Sequence, residues 1–557
     1  MYIYPDSEVK ILHNVNLNND YDHTIYFSSA TAQQNFFTNN LRVKYSLTNQ
    51  QYQRKERGWI QVNLNQNQLW DCTYLMYKNS HYTIAPSQTQ GTSLKWFYAF
   101  ILSVEYVNES VSKINYEIDV IQTWMFDYVL DKCYVEREHS ASDNYYENTI
   151  EENLDLGSGY WIHKNYEYDL DCTRVAVVES GHYDQSLDKF VGTSPTRMGK
   201  YFTGLHYQSY DLKDLDTSDP NYPNSSAILK AHLYDFVQHG VSEAIVSVYQ
   251  YPRFMGYIPN TTADSNFDFS YTDISFTPEI TNFAGYYPKN KKLFTYPYTF
   301  IELDDMHGHT SNYKLEYWYP NTHAGEFRLF GTPFGIPTCL CVPRFYNGEQ
   351  TNYQNGLSIQ LNIQSPWVGD AYQVWLARNE KNIEREKKIG AAMVAVGIAG
   401  SLIGVISGNS ALQYQGVRTS TSGGSRLFNA INQNIERKNE LEMTPAPVYG
   451  QTVDEMLNLQ MGIDSIAFRQ KSIRAEYAKI IDEYFSRFGY ACHRVKVPNI
   501  HVRQNWTYTK TIGCEIVGNL PSDDIVKIKS IYDNGITFWT DGMNIGNYSD
   551  FTNPVLS

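Results

Sequence analysis

A stretch of 29 residues without a single charge, Ile389 to Val417, constrains this chain more than any other feature of its sequence. Its first 19 residues, Ile389–Ser407, contain nine large apolar residues, four Ala, four Gly and two Ser. As an α-helix they would be about 28 Å long, close to the roughly 30 Å hydrocarbon thickness of a bilayer. The segment is therefore long enough to span a membrane. A Ser/Gly-rich stretch of flexible-linker composition follows it at 419–425.

The composition of this segment leaves its location open. Each large apolar residue contributes only about −0.3 to −0.6 kcal/mol to membrane insertion, and each helical Gly costs about 1 kcal/mol relative to Ala in water. Three interpretations remain: a segment that enters lipid on demand, a buried core helix in a bundle, and a permanent membrane anchor. For the first, Gly400, Gly404 and Gly408 form a face on which copies could pack closely. The residues expected to enter lipid are Ile389, Met393, Val394, Val396, Ile398, Leu402, Ile403, Val405 and Ile406.

The sequence on both sides of this segment favours β-strands. Apolar and polar side chains alternate over Lys113–Ile121 and Trp59–Leu64, which predicts strands with one buried face. Lys95–Val104 is nearly continuously apolar, which is typical of a strand buried on both faces. Forty-seven Tyr and 26 Phe also favour sheets over helical bundles. The predicted fold class is therefore mainly β.

A mostly helical stretch interrupts these strands. Helical spacing is seen over Trp367–Lys388, Arg426–Met443 and Val453–Phe488. Strands return at Ala491, and Asp533-Asn-Gly535 predicts a hairpin turn. The simplest interpretation is a helical insertion into a β scaffold whose N- and C-terminal parts pair in space. Four segments are thus predicted: β-rich 1–165, β-rich 166–365, a helical insertion 366–490 with a membrane-active loop at about 389–425, and C-terminal β 491–557 packing on the first.

Charge and cysteine content narrow the function further. The chain has 45 Lys and Arg against 60 Asp and Glu, a net charge of −15, which disfavours a protein that coats nucleic acid. A tube that DNA passes through without adhering remains compatible with it. The seven cysteines are scattered and include no CxxC pair, so they are expected to be reduced thiols. We expect no secretory signal at the N-terminus.

Candidate chemistry is sparse. Asp304-Asp-Met-His307-Gly-His309 has metal-ligand residue types but no established metal spacing, and turn residues explain it equally well. Glu136-Arg-Glu-His139 is interpreted as an ion-paired strand end. Cys339 and Cys341 are expected to be buried on one face of a strand. Arg503–Tyr508 is interpreted as a strand with Trp506 in a core, in preference to a nucleic-acid platform. The sequence therefore predicts no catalytic residue, metal or cofactor.

Strings spread over most of the chain resemble the distal tail knob proteins of phi29-like short-tailed phages that infect Gram-positive bacteria. The most specific of them is Tyr116-Glu-Ile-Asp-Val-Ile-Gln-Thr-Trp-Met-Phe-Asp127. Others are Lys95-Trp-Phe-Tyr-Ala-Phe100, Val135-Glu-Arg-Glu-His139, Lys510-Thr-Ile-Gly513 and Asp533-Asn-Gly-Ile-Thr-Phe-Trp539. Residues 166–360 match more loosely.

The resemblance implies a non-enzymatic virion protein at the tail tip. It implies β-sandwich or barrel domains forming a hexameric tube, plugged by a hydrophobic loop from each subunit. It also implies that the loops leave the tube, insert into the host cytoplasmic membrane and let double-stranded DNA pass without sequence-specific binding. Partners would be five further copies, the lower collar or tail tube, and the membrane. Ile389–Ile406 occupies the place of the loop. Two alternatives stay open: a tail-tip receptor-binding module and a cell-wall-degrading enzyme.

Overall fold

The fold is known here from a computed structural model of the chain. It describes residues 7–556 except 52, 54–57, 80–94, 145–146, 185, 188, 193–195, 199–200, 213–224, 239–243, 259–269, 279–280, 319–322, 335–336, 362–363, 366, 369–447, 450–463 and 549–552. The predicted membrane-active segment, the helices expected at 369–388 and 426–443, and the linker at 419–425 lie outside the described residues.

Strands are the commonest regular elements of the described chain, as the sequence predicts. They are β1 Ser7–His13, β2 His23–Ile25, β3 Val43–Gln50, β4 Trp59–Val62, β5 Cys72–Lys78, β6 Phe97–Asn108, β7 Val111–Ile118, β8 Tyr128–Leu130, β9 Cys133–Glu138, β10 Tyr160–Asp169, β11 Arg174–Glu179, β12 Gly181–Asp184, β13 Lys189–Gly192, β14 Thr196–Met198, β15 Tyr201–Thr203, β16 His206–Asp211, β17 Ile245–Tyr251, β18 Ser270–Ser275, β19 Thr299–Asp304, β20 Thr310–Tyr313, β21 Glu326–Thr332, β22 Thr338–Tyr346, β23 Glu349–Thr351, β24 Leu357–Gln360, β25 Gln364–Ser365, β26 Trp367–Val368, β27 Val448–Tyr449, β28 Ser465–Ile473, β29 Tyr490–Lys496, β30 Trp506–Ile512, β31 Ile516–Gly518 and β32 Ile536–Trp539.

The α-helices of the described part are fewer. They are α1 Ala30–Phe37, α2 Val120–Trp124, α3 Ser225–Gln238, α4 Ala475–Phe488 and α5 Ser522–Asn534. The mainly β fold class is therefore confirmed.

The chain divides into two compact units, and the first joins its two ends. This unit comprises Met1–Trp161, Ile280–Thr299 and Ser472–Ser557. One of its sheets has the order β2-β32-β30-β9-β29, so strands from the N- and C-terminal parts are interleaved in it. A second sheet has the order β3-β1-β5-β6-β7-β4. Phe37, Tyr74 and Phe100 pack in one core with Tyr532 and Phe538 from the C-terminal part. Strands from both ends of the chain therefore share one sheet and one core.

Two of the N-terminal strand predictions hold and one holds only in part. In β7, Ile114, Tyr116 and Ile118 are buried at alternate positions, and β4 buries Ile60 in the same way. The prediction that Lys95–Val104 is buried on both faces is wrong beyond Phe100. Strand β5 pairs with β6 only over Phe97–Phe100, and a register shift follows, so Leu102 is 53% exposed.

The predicted helix Val453–Phe488 is wrong over Ser465–Ile473, which form β28. Phe468, Gln470 and Ser472 are buried at every second position of this strand, while Arg469 and Lys471 pair with acids of β19. Ile466 and Ile473 are seven residues apart, a spacing of about two helical turns that favours a helix. Both are nevertheless buried in the strand.

The rest of the predicted insertion 366–490 is mixed in character. The helix expected from Trp367 is wrong at Trp367–Val368, which form strand β26. A helix is present at Ala475–Phe488, and Ala478, Ile481 and Phe485 form its buried face, while Ile480 is 63% exposed. The boundaries of the four predicted segments stay predictions.

The hairpin expected at Asp533-Asn-Gly535 is also wrong. Ser522–Asn534 form α5, which ends where the N–H of Gly535 donates to the carbonyls of Ile531 and Tyr532. Gly535 has a φ of +94°, a conformation that helix C-termini and tight hairpins both require of glycine. The Asn-Gly pair therefore does mark a glycine with positive φ, but this glycine ends a helix and does not form a hairpin turn.

The second unit comprises Ile162–Glu279 and Phe300–Lys471. Its sheets have the orders β16-β11-β17-β25, β10-β28-β19-β20 and β18-β21-β22-β23, with β24 also paired to β22. Helix α3 covers the first of these sheets, where Leu229, Leu233 and Phe236 pack on Val175 and Val177. Leu357 and Ile359 of β24 are buried at alternate positions.

Candidate functional site

The candidate functional site is the place where the uncharged segment is attached to the β scaffold. The residues predicted to enter lipid, Ile389–Ile406, and the face Gly400, Gly404 and Gly408 lie outside the described residues. The strands that flank the gap pair with each other: Trp367 faces Tyr449, and Val368 faces Val448, in an antiparallel ladder. Opposed Cα atoms in such a ladder are about 5 Å apart. The stretch 369–447 therefore begins and ends at adjacent points.

Strands of the second unit hold this ladder on the N-terminal side. Just before it, β25 pairs with β17, with Ser365 opposite Val248 and Gln364 opposite Tyr249. Tyr249 is buried, and its hydroxyl donates to the Pro333 carbonyl oxygen at 2.5 Å. The entry to the insertion is thus fixed to a core strand.

The chain rejoins the described scaffold at Asp464 and β28. The Asp464 carbonyl accepts the Leu170 N–H at 2.9 Å, and its carboxylate accepts the Cys172 N–H at 3.2 Å. Burial raises the pKa of Asp464. Both ends of the insertion therefore attach to backbone hydrogen-bonded elements.

The Asp304–His309 motif forms the turn between β19 and β20. The Asp305 carboxylate accepts the N–H groups of His307 and His309 at 2.8 and 2.9 Å and faces the His309 ring at 2.8 Å. Burial acts to raise the pKa of Asp305, but these hydrogen bonds outweigh it and the net shift is downward. Within the described ranges, no group of three His, Cys, Asp or Glu residues is placed to hold a metal. The motif builds a turn.

Glu136-Arg-Glu-His139 is an ion-paired strand end, as interpreted from the sequence. Glu136 pairs with Lys510 at 2.8 Å. Glu138 is buried and accepts Lys496 at 2.5 Å and the Asn499 N–H at 2.9 Å. A cavity of about 400 Å³ lies beside this carboxylate, lined by Ser140, Ser142, Glu147, Asn148, Arg494 and Lys496 among others. The charge of the Glu138 carboxylate is already balanced by Lys496, so this side chain contributes to structure.

His139 is fully enclosed between the strand ends and α4. Its Nδ1 accepts the Tyr508 N–H at 2.7 Å, so the proton of the neutral ring is on Nε2, which donates to the Ser486 carbonyl at 3.1 Å. Burial, assisted by the charge of Arg503, lowers the pKa of His139 to about 3. The imidazole is therefore neutral over the physiological range and fills both of its hydrogen-bonding roles within the fold.

We expect this histidine to make the first unit sensitive to acid. Because its folded pKa lies below the ordinary 6.5, the stabilisation is complete above pH 6.5 and is lost as pH falls toward 3. At pH 5 the loss is about 2 kcal/mol relative to pH 7. Urea unfolding at both pH values should show that His139→Gln lacks this component. Asp119, whose pKa burial raises to about 6, acts in the opposite direction in both proteins and cancels in the comparison. Equal pH dependence would contradict the prediction.

Sequence reasoning missed a buried ion cluster centred on Glu152. This carboxylate pairs with Arg137 of β9 and with Lys292, and it accepts the Ala491 N–H at 3.1 Å. The Lys292 side chain is 1% exposed. The partners lie far apart in sequence, so no local motif could reveal them. The cluster joins all three chain segments of the first unit.

The remaining candidates belong to cores. Cys339 and Cys341 are buried on one face of β22, and burial raises the pKa of both thiols, as expected for inert cysteines. All seven cysteines are unpaired and buried. Trp506 is 1% exposed, and its Nε1 donates to the Ser486 carbonyl at 2.9 Å. The interpretation of this stretch as a core strand is confirmed for Trp506–Tyr508, while Arg503–Asn505 precede the strand.

No helix within the described ranges is both long and apolar enough to cross a bilayer.

Sequence comparison places the whole chain beside phage tail proteins. It is 27% identical to the tail knob protein gp9 of Bacillus phage phi29, with 98% of each chain covered. It is 26% identical to the tail knob protein gp9 of Bacillus phage B103, with 96% of each covered, and 27% identical to that of Bacillus phage PZA, with 98% of each covered. The phage resemblance seen in the sequence is thereby confirmed.

Structural and family comparisons agree with this. The tail knob protein gp12 of bacteriophage C1 superimposes with a TM-score of 0.61 over 99% of this chain and 100% of its own, at 13% identity, which supports the fold. A family described as caudoviral major tail protein N-terminus matches residues 5–129. The family described as the C-terminal domain of tail knob protein gp9 of Bacillus phage phi29 matches residues 259–551. The chain therefore belongs to the phage tail knob protein family and is a structural component of the distal tail.

Proposed function

We propose that six copies of this chain form a tube at the tail tip, and that the segment Ile389–Ile406 of each copy plugs the tube until it enters the host cytoplasmic membrane. The inserted segments then form a pore through which the genome passes. The observation that carries this proposal is the 29-residue uncharged stretch in a chain of the tail knob family.

Attachment of the insertion supports such a movement. Because 369–447 begins and ends at the β26–β27 ladder, the segment can change its environment while its base stays hydrogen-bonded. A segment fixed at two distant points would have to deform the scaffold to leave it. Lys387 and Lys388 precede the apolar residues, where they can contact anionic lipid head groups.

The energetics of the segment suit a switch. Apolar surface gains about 25 cal/mol per Å² when it leaves water, so six segments stabilise one another inside a closed tube. Insertion into the hydrocarbon core of a bilayer removes the same apolar area from water as well. Since insertion of one segment is worth only a few kcal/mol, neither state is overwhelmingly preferred, and contact with the cell can shift the balance.

The charge of the chain suits a channel for DNA. With a net charge of −15, a tube of such subunits repels phosphate and presents no adhesive wall to a passing duplex. The proposed role therefore needs no sequence-specific DNA contact, no catalysis and no cofactor. Its partners are five further copies, the collar or tube proteins of the tail, and the host membrane.

Two measurements test this function. Purified protein should have the mass of a hexamer by light scattering at micromolar concentration, and it should release dye from liposomes containing anionic lipid. The isolated peptide 389–406 should cause leakage too. A stable monomer would contradict the tube, and intact liposomes at every pH between 5 and 8 would contradict membrane entry.

A further inference from the structure

Two strands at the ends of their sheets carry matching side-chain patterns. In the described part of the chain, β29 ends the sheet β2-β32-β30-β9-β29, and β10 ends the sheet β10-β28-β19-β20. The outer edge of such a strand has backbone N–H and C=O groups that can pair with another chain. Both strands are long for edges, with seven and ten residues.

One face of β29 belongs to an exposed apolar row. Val495 lies opposite Tyr134 of β9, and Tyr134 lies opposite Ile512 of β30, so the three side chains form a row across adjacent strands. They are 67%, 36% and 54% exposed, respectively. Apolar patches that reach a few hundred Å² on a soluble protein often mark interaction sites. The row indicates a surface that another protein covers.

The opposite face of β29 is basic. Arg494 and Lys496 alternate with Val495 and line the cavity beside Glu138. Lys496 is paired with Glu138. Arg494 is exposed, and within the described residues it contacts the Cys492 thiol and no carboxylate. The edge therefore offers one unpaired cation beside an open cavity.

The edge of β10 shows the complementary pattern. In the C-terminal part of β10, Tyr166 and Tyr168 alternate with Glu167 and Asp169, so this part has one aromatic and one acidic face, with Lys164 preceding the tyrosines on the aromatic face. Glu167 is exposed and accepts only the Asn165 side-chain amide, at 2.8 Å, among described groups. Tyr160, Trp161 and Ile162 are each more than 40% exposed at the start of the strand. Edge strands of this kind attract partners.

We propose that β29 of one copy pairs edge to edge with β10 of the next copy, with Arg494 facing Glu167 and the Val495 row facing the tyrosines. Any register that places the apolar faces together also places the basic and acidic faces together, because side chains alternate along both strands. This assignment rests on the proposed ring of copies.

A second copy fits these edges better than the same edge would fit itself. Two β29 edges would oppose arginines, and two β10 edges would oppose glutamates, so both self-pairings are repulsive. Pairing of unlike edges is a heterologous contact, which is the type that closes rings. Copies that each have a net charge of −15 also need a local attraction of this kind to associate.

Charge exchange tests the pairing. Arg494→Glu and Glu167→Arg should each reduce the hexamer at least 10-fold in light scattering at micromolar concentration, and the two together should restore it. Lys479→Glu and Glu476→Arg on the exposed face of α4 make the same charge changes elsewhere and should leave the mass unchanged. Circular dichroism confirms that each variant is folded.

Engineered cysteines give a second readout. Arg494→Cys combined with Glu167→Cys should form a ladder of covalent oligomers under mild oxidation, because the seven native thiols are buried, and either single variant should not. A hexamer that is unaffected by the charge changes and does not cross-link would overturn the assigned edges and leave the ring intact. A wild-type chain that stays monomeric would overturn both.

Discussion

Dye release from liposomes is expected to disappear when Ile398 and Leu402 are both replaced by Asp. Each substitution removes about −0.3 to −0.6 kcal/mol of insertion free energy and adds about +2.5 to +3.5 kcal/mol, a change of roughly 6 to 8 kcal/mol for the pair. The nine large apolar residues of the segment supply only about 3 to 5 kcal/mol together. The doubly substituted segment should therefore remain out of lipid.

A matched control separates charge from position. Gln413 and Gln415 lie within the uncharged stretch but beyond its apolar part, so Gln413→Asp with Gln415→Asp adds the same charge outside the inserting residues. This variant should release dye at nearly the wild-type rate. If both double variants lose activity equally, net charge and not insertion would explain the result.

The variant with Ile398→Asp and Leu402→Asp also distinguishes the other two interpretations of the segment, a buried core helix and a permanent membrane anchor. In a buried core helix, two aspartates without partners would lower the free energy of unfolding by several kcal/mol, so the thermal midpoint would fall and the hexamer would be lost. In a loop released on demand, folding and mass should change little. A permanent anchor would make the wild-type protein insoluble without detergent, which the mass measurement would show.

Periodicity predicted the strands whose two faces have different environments. Ile114, Tyr116 and Ile118 of β7 are buried while their neighbours are not, so the period of two was visible in the sequence. A strand buried on one face has alternating apolar and polar residues, and this alternation is visible in the local sequence. The same reasoning failed at β28, since Ile466 and Ile473 are seven residues apart, which fits a helical period, but both are buried here on opposite faces of a strand.

Contacts between distant segments left no such pattern. Glu152 is one of 60 acidic residues, and although Arg137 is in the same segment, its partners Lys292 and Ala491 come from two other segments of the chain. The edge status of β10 and β29 depends likewise on sheet order, which a single sequence does not reveal. The tail knob family, in contrast, could be inferred from the sequence because its most specific string, Tyr116–Asp127, is contiguous and runs through β7 and α2.

Glu152→Gln is expected to lower the free energy of unfolding of the first unit by about 3 to 5 kcal/mol, the usual cost of removing one partner from a buried ion pair. The substitution keeps the shape of the side chain and removes its charge. Lys292 then remains buried as a cation beside Arg137. The loss of unfolding free energy is greatest at pH values at which Lys292 is protonated. Urea unfolding followed by tryptophan fluorescence measures the loss.

Two controls and a pH series make the interpretation specific. Glu136→Gln breaks the Glu136–Lys510 pair, whose side chains are about a third exposed, so it should cost no more than about 1 kcal/mol. Glu152→Gln with Lys292→Met should recover part of the loss, because no unpaired ammonium remains.

Burial lowers the pKa of Lys292 while Glu152 counteracts it. In Glu152→Gln the folded state thus binds protons less readily than the unfolded state, and its deficit should shrink between pH 7 and pH 9. A deficit as small as that of Glu136→Gln, or one independent of pH, would show that the charge of Glu152 does not join the three segments of this unit.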